Sequence, residues 1–235
     1  LFTAELTKTA ENAYRDVNIA FANELALICQ SVGADFLKVR EMVNKSPGRN
    51  VLYAGAGVGG HCIPKDPWLL AYGAAEKVDL QLIPAARAVN DSMPGQIASL
   101  LEDALDEAGK LMEDAKVAIL GYAYLEDSDD TRNSPSEVLE KKLLAMGCEV
   151  VVHDPVVKEY RKDLFETIEG CDAVVIMVGH AFYRNLNLIE IKDKLQTPIL
   201  IDGRRVIDPG VAESAGFNYV AIGYGQPKMD TKKGS

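Results

Sequence analysis

Lys116-Val117-Ala118-Ile119-Leu120-Gly121 is the stretch on which the fold turns. From Val117 the run is apolar on both alternating faces, too short for a stable helix, and closed by a glycine, as a fully buried strand is. Runs of the same grammar recur at residues 149–153, 173–178, 199–201 and 219–222, with helix-like segments between several of them. Strands of this kind separated by helices form a parallel sheet covered on both faces, the doubly wound α/β class. One helix start is explicit: Ser134 as cap, Pro135 at the first helical position and Glu137 at the capping-box position. Ligands in this class bind at the carboxyl ends of the strands. Those ends are Gly121 to Arg132, His153-Asp154-Pro155, Gly179-His180 and Asp202-Gly203-Arg204-Arg205.

Before residue 115 the pattern is helical and no strand is expected. Leu6, Ala10, Ala13, Val17, Ala20, Phe21, Leu25 and Ile28 recur at spacings of three and four, which predicts one long helix over 4–31. Gly33 is a stop, and Asp35 caps a second helix over 36–44. A glycine-rich loop follows, and Asp66-Pro67 restarts a helix to about residue 75. Another helical pattern runs from Pro84 to Gly109, broken or kinked near Pro94-Gly95. The expected organisation is an all-helical domain over 1–110, a Rossmann-like domain over 111–226 and a disordered tail over 227–235. The first residue already lies in helical sequence, which suggests that something precedes it.

The 235 residues carry a net charge of −10, which argues against a general nucleic-acid binder. No apolar run approaches the roughly 20 residues that cross a bilayer, and no signal peptide is visible. Cys29, Cys62, Cys148 and Cys171 show no CxxC or metal-like spacing. Free thiols of this kind suit a reducing cytoplasm. No set of His, Cys and carboxylates makes a metal site.

The chemistry concentrates in Gly59-Gly60-His61-Cys62-Ile63-Pro64-Lys65-Asp66-Pro67. A thiol reacts as its thiolate, which nearby cations favour. Glycines let the backbone come close to a ligand. The bland alternative is that Cys62 is a small core residue in a tight turn. Gly55-Ala56-Gly57-Val58-Gly59-Gly60 also fits G-x-G-x-x-G, the dinucleotide fingerprint. That fingerprint needs a helix opening directly at the glycines, and the two prolines are expected to bar one. Lys8 and Asn12 share a helical face at i,i+4; alone they are a solvated face. Arg132 precedes a helix N-terminus, and Arg204-Arg205 follow a strand end, both suited to phosphate or to exposed loops.

Taken together the chain resembles the NAD-dependent nucleotide-sugar 6-dehydrogenases over about residues 4–225. Three motifs carry the resemblance in order: Ala4-Glu5-Leu6-x-Lys8-x-x-Glu11-Asn12, then Gly59 to Trp68, then Gly121-x-Ala123-Tyr124 with Asp130-Thr131-Arg132-x-Ser134-Pro135. The His-Cys and Asp-Pro-Trp version is most similar to the UDP-N-acetylhexosamine branch. The resemblance implies a Rossmann-like sheet domain after a helical middle domain, with the family's N-terminal Rossmann domain absent from these residues. It implies oxidation of a C6 alcohol to a carboxylate with two NAD. Cys62 would hold the carbon as thiohemiacetal and thioester, Lys8 and Asn12 would stabilise the oxyanion, and Asp66 would be the base or position water. Lys65 and Arg132 would reach the cofactor. Arg49, Gly57, Gly59, Gly60, His61, Arg204 and Arg205 would meet the nucleotide sugar, Arg49 in a neighbouring subunit's site. A homodimer through the middle-domain helices is implied, with no nucleic-acid or membrane partner. One departure stands out: Leu125 occupies the place of a lysine that helps hold the nucleotide, and leucine cannot donate to phosphate.

Overall fold

The computed structural model describes residues 2–74 and 77–225; the expected tail over 227–235 lies outside them. Helix α1 spans Phe2–Ser31 and turns Ala13, Ala20, Ala22 and Ala26 inward. These small side chains let the other helices approach closely. Gly33, at φ +77°, ends the helix in the left-handed region. Asp35 then caps α2 (Phe36–Asn44), its carboxylate accepting from the Leu37 N–H at 2.9 Å. Helices α3 (Cys62–Tyr72) and α4 (Leu82–Glu107) both pack on α1 and complete the helical half.

Two expectations fail here, and for related reasons. Helix α3 opens at Cys62 rather than at Asp66-Pro67, running through both prolines. Pro64 falls in the first turn, where backbone N–H groups have no helical partner, so its missing donor costs nothing. Pro67 gives up one backbone bond and is buried. Helix α4 likewise continues through Pro94-Gly95 as one element, with Pro94 buried. Tertiary packing on both sides outweighs the local penalty.

The second half alternates as expected: β1 (Lys116–Leu120), α5 (Pro135–Ala145), β2 (Glu149–His153), α6 (Leu164–Ile168), β3 (Ala173–Ile176), α7 (Leu188–Lys194), β4 (Ile199–Asp202), α8 (Pro209–Ser214) and β5 (Asn218–Ala221). The five strands are parallel in the order β2-β1-β3-β4-β5. Alternate residues serve opposite faces. Val117, Ile119, Val175 and Ile201 meet Leu139 and Leu143 of α5 together with Ile97, Leu101 and Leu105 of α4. Ala118, Leu120, Val174 and Ile176 meet Leu164, Ile168, Ile191 and Ala212 on the other side. Helix α4 therefore begins among the helices and ends as a covering helix of the sheet.

A buried polar chain joins α1, α4 and the glycine loop. Arg87 Nη1 donates to Asp16 Oδ1 at 2.6 Å, and Asn90 Nδ2 donates to the same oxygen at 2.8 Å. Asn23 Nδ2 donates to Asn90 Oδ1 at 2.9 Å, and Asn23 Oδ1 accepts from the Gly55 N–H at 2.9 Å. Burial outweighs Arg87 in setting Asp16, whose carboxyl lies above the usual carboxylate range.

Beyond Gly55 the loop is pressed onto the segment after β1. The Gly60 N–H donates to Arg132 O at 2.9 Å, and Asn133 Nδ2 donates to Gly60 O at 2.9 Å. A Cβ at Gly59 would stand 2.6 Å from Tyr124 Cβ and 2.7 Å from Asn133 O. Gly59→Ala is accordingly expected to destabilise the fold by about 1–3 kcal/mol. Gly73, at φ −67° with nothing within 4 Å of an added Cβ, is the control. Gly73→Ala is expected to be neutral or stabilising by about 0.4–1 kcal/mol. Urea unfolding midpoints check both, and equal midpoints for the two variants would refute the packing argument.

Candidate functional site

Helix α1, the glycine loop and the segment after β1 enclose a cavity of about 380 Å³. Asn12, Arg15 and Ile19 form its α1 wall, at the i, i+3, i+7 spacing of one helical face. Residues 57 and 59–63 form the opposite wall, and Tyr124, Leu125, Arg132 and Arg204 close it from the sheet half. The site thus sits where the ends of β1 and β4 meet the helices, as a doubly wound sheet dictates.

Cys62 is exposed in this cavity, whereas Cys29, Cys148 and Cys171 are buried. As the first residue of α3 it stands at the positive end of that helix, beside unpaired N–H groups suited to a developing oxyanion. Asp66 is buried one turn further on, and Asn12 Nδ2 donates to its Oδ2 at 2.6 Å. Lys65 Nζ lies 3.5 Å from the other oxygen. The thiol, amide and carboxylate expected to act together are therefore contiguous.

The other expected residues divide between this cavity and places outside it. Lys8, largely exposed, pairs with Glu11 at 3.1 Å and does not line the cavity. Lys65 lines a neighbouring cavity of about 440 Å³ beyond Val58. Arg49 bonds Pro47 O at 2.7 Å on an exposed turn. Arg204 enters the cavity wall, its Nε donating to Met177 O at 2.7 Å. Burial lowers its pKa from the usual guanidinium value. Arg205 turns away: its guanidinium pairs with Asp35 at 3.2 Å, with the Tyr224 ring at 5.0 Å. Arg132 lines the cavity but is clamped to Asp130, with 2.6 Å between Nη2 and Oδ2.

The glycines take a different part from the one expected. Instead of leaving room for a ligand alone, they admit neighbours from the sheet half. A Cβ at Gly55 would meet Arg204 Nη1 at 2.5 Å, one at Gly57 would meet Pro135 Cβ at 3.0 Å, and one at Gly60 the Tyr124 ring at 2.7 Å. Arg15 and Tyr53, and Tyr124 of the third motif, line the cavity without a site role assigned from sequence. For Arg15 a signal existed, its i+3 spacing from Asn12. Among the described residues it has no ion pair.

Residues 55–60 build no dinucleotide cradle. A helix does open behind Gly55–Gly60, but no strand precedes it, and the glycines are packed by Tyr124, Pro135 and Arg204. Among the described residues no three His, Cys, Asp or Glu side chains come together as a metal site, and no helix is long and apolar enough to cross a membrane.

Against this geometry, residues 2–92 match the central domain of the UDP-glucose/GDP-mannose dehydrogenase family, and residues 118–209 match its UDP binding domain. The chain is 41% identical over 224 residues to UDP-N-acetyl-D-mannosamine dehydrogenase of Pyrococcus horikoshii, covering 95% of this chain and 52% of that protein. It is 35% identical over 214 residues to NDP-N-acetyl-D-galactosaminuronic acid dehydrogenase of Ralstonia solanacearum, covering 86% and 48%. Among solved structures, the UDP-D-ManNAc dehydrogenase of P. horikoshii superposes with a TM-score of 0.89 at 40% identity, covering 96% of this chain and 53% of that one. The NDP-N-acetyl-D-galactosaminuronic acid dehydrogenase of Methanosarcina mazei gives 0.90 at 40% identity, covering 95% and 51%. The chain spans about half the length of the curated relatives it matches.

Exposure separates the four thiols in a way chemistry can read. Burial pushes the Cys171 thiol up to about 11 and raises Cys29 and Cys148 as well, so these stay protonated at neutral pH. Iodoacetamide at pH 7.5 is expected to alkylate Cys62 alone in the folded protein. Peptide mass spectrometry checks this; labelling of Cys171 at a comparable rate would refute the assignment.

Proposed function

Because the chain belongs to the UDP-glucose/GDP-mannose dehydrogenase family, we propose that the protein carrying it oxidises the C6 alcohol of a UDP-N-acetylhexosamine to the uronate. The observation that carries this reading is Cys62, exposed at the first turn of α3 in a cavity shared with Asn12 and three arginines. The names of the similar proteins support the N-acetylhexosamine branch. Two NAD are assigned as the oxidant, one taking the hydride of the alcohol and one that of the thiohemiacetal, and Lys65 and Arg132 are the cations this chain would offer to them. Residues 55–60 form no dinucleotide cradle, and the match of residues 118–209 to a UDP binding domain supports reading this chain as the nucleotide-sugar-binding half of the activity.

The residues divide the work. Cys62 Sγ adds to the C6 aldehyde carbon and holds it as a thiohemiacetal, then after oxidation as a thioester. Water cleaves that thioester, giving the uronate and returning the thiolate. Asn12 donates to the developing oxyanion, and Lys8 supplies positive charge once its side chain leaves Glu11. Asp66, held by Asn12 and Lys65, takes the alcohol proton or positions the water. Gly57, Gly59, Gly60 and His61 shape the sugar pocket around the thiol.

Arg204 and Arg15 face the nucleotide diphosphate, and Arg15 offsets the donor lost at Leu125. Arg205 holds the Arg204 turn against Asp35. We place the reaction in the cytoplasm, where the free thiols stay reduced.

Helix α1 supports a homodimer: Leu6, Tyr14, Phe21 and Ile28 on it are 57%, 71%, 56% and 53% exposed. Tyr14, Phe21 and Ile28 are seven residues apart, a continuous apolar stripe. In such a dimer Arg49 reaches the neighbouring site. Phe21→Lys is expected to halve the mass measured by light scattering, and an unchanged mass would refute the α1 interface.

For the chemistry, Cys62→Ser in the full-length protein is expected to lower uronate release by roughly a thousandfold or more. Binding of the UDP sugar should change little. Near-normal turnover of the serine variant would exclude the thioester route.

A further inference from the structure

Asp154 and His180 lie at the ends of β2 and β3, fully buried, and line no part of the cavity around Cys62. A carboxylate paired with an imidazole invites an acid–base reading, but neither group has a route to a substrate. Their partners point elsewhere. Asp154 Oδ2 accepts from the Tyr122 N–H at 2.6 Å and the Ala123 N–H at 3.0 Å, and lies 3.1 Å from His180 Nε2. His180 Nδ1 accepts from the Asp127 N–H at 2.8 Å, which leaves the ring proton on Nε2 facing Asp154. Asp127 is held at φ +53°, and its Oδ1 accepts from the Ala181 N–H at 3.0 Å. Two oxygens and one ring thus fix both ends of the segment 122–127.

That segment carries Tyr124 and Leu125 into the cavity wall beside Cys62. Between its two anchored ends the one backbone bond across the loop is Tyr124 N–H to Asp130 O at 2.9 Å. Asp154 itself is well anchored: its Oδ1 accepts from the Val156 and Val157 N–H groups at 2.8 and 2.9 Å. Burial raises its pKa, but His180 and the backbone donors prevail and hold it below the usual carboxylate range. It therefore stays an acceptor at any working pH.

We infer that the Asp154–His180 pair is a positioning device for substrate binding, setting the 122–127 segment so that Tyr124 and Leu125 meet the nucleotide sugar. The inference rests on the proposed reading of the cavity as the nucleotide-sugar site. Removing the ring leaves the Asp127 N–H without its acceptor and takes one of three donors from the buried Asp154 Oδ2. The loop then samples other positions, and affinity falls by the fraction of molecules in the competent one. The chemistry at Cys62 is untouched.

The test uses the full-length protein with His180→Ala and His180→Gln, since a glutamine amide offers an acceptor and a donor side by side. Hydrogen exchange read by mass spectrometry is expected to speed up in peptides covering 122–127 of His180→Ala, with strands β1 and β3 unchanged. In the same variant KM for the UDP sugar is expected to rise about tenfold or more, with kcat within about threefold. His180→Gln is expected to restore both readouts. Unchanged exchange at 122–127, exchange lost equally across the sheet, or a fall in kcat alone would overturn the positioning role. Absence of nucleotide-sugar oxidation by the unaltered protein would instead overturn the functional reading, while the exchange result still judges the clamp.

Discussion

The structure depends on a buried line of polar contacts running from Asp16 through Arg87 and Asn90 to Asn23 and the Gly55 N–H. Buried polar groups are costly unless satisfied, so such a line tolerates few arrangements. It sets the rotation of α1 against α4, because Asp16 and Asn23 lie on one face of the former and Arg87 and Asn90 on one face of the latter. It also fixes where the glycine loop leaves the helices. Everything on the α1 side of the cavity inherits its place from this constraint: Asn12 one turn before Asp16, Arg15 beside it and Ile19 beyond.

Helix α4 carries the same constraint to the sheet. Its first half holds the polar line, and its second half buries Ile97, Leu101 and Leu105 against Val117, Ile119 and Val175. One rigid element thereby relates the thiol-bearing half to the strand ends. The arginines at those ends reach the cavity because of this, without a flexible linker between the two halves. Pro94 falls near the changeover and is buried against the glycine loop, which explains why a residue that usually breaks a helix is retained inside this one.

Much of this was legible in the residues. Continuous apolar runs such as 117–120 and 173–176, separated by helical segments, point to a parallel sheet because the helices between them cover both of its faces. Asp35 and Ser134 marked two helix starts correctly, since a cap is a local interaction and needs no tertiary context. The failures are tertiary. The start of α3 at Cys62 was hidden because propensity penalises prolines, whereas packing on α1 and the permissive first turn decide the outcome. Arg205 was paired with its neighbour as a phosphate ligand, yet a positive φ and the distant Asp35 turn it away. The roles of Arg15, Tyr53 and Tyr124 depend on which loop faces which helix, and no spacing within one segment encodes that for the tyrosines.

The glycine run shows how one pattern can arise from two different demands. In a dinucleotide fingerprint, glycines follow a strand and let a pyrophosphate reach a helix end. Here a helix end is present and a strand is absent, and the space a side chain would fill is taken by Tyr124, Pro135 and Arg204. The run therefore serves contact between the two halves of one site. It brings the first turn of α3, with Cys62 on it, against the segment that Asp154 and His180 hold. Close approach of backbone to neighbour is the common physical requirement, and the neighbour is protein in one case and phosphate in the other. A thiol placed by such a loop is positioned by both halves at once, so its environment changes when either half moves.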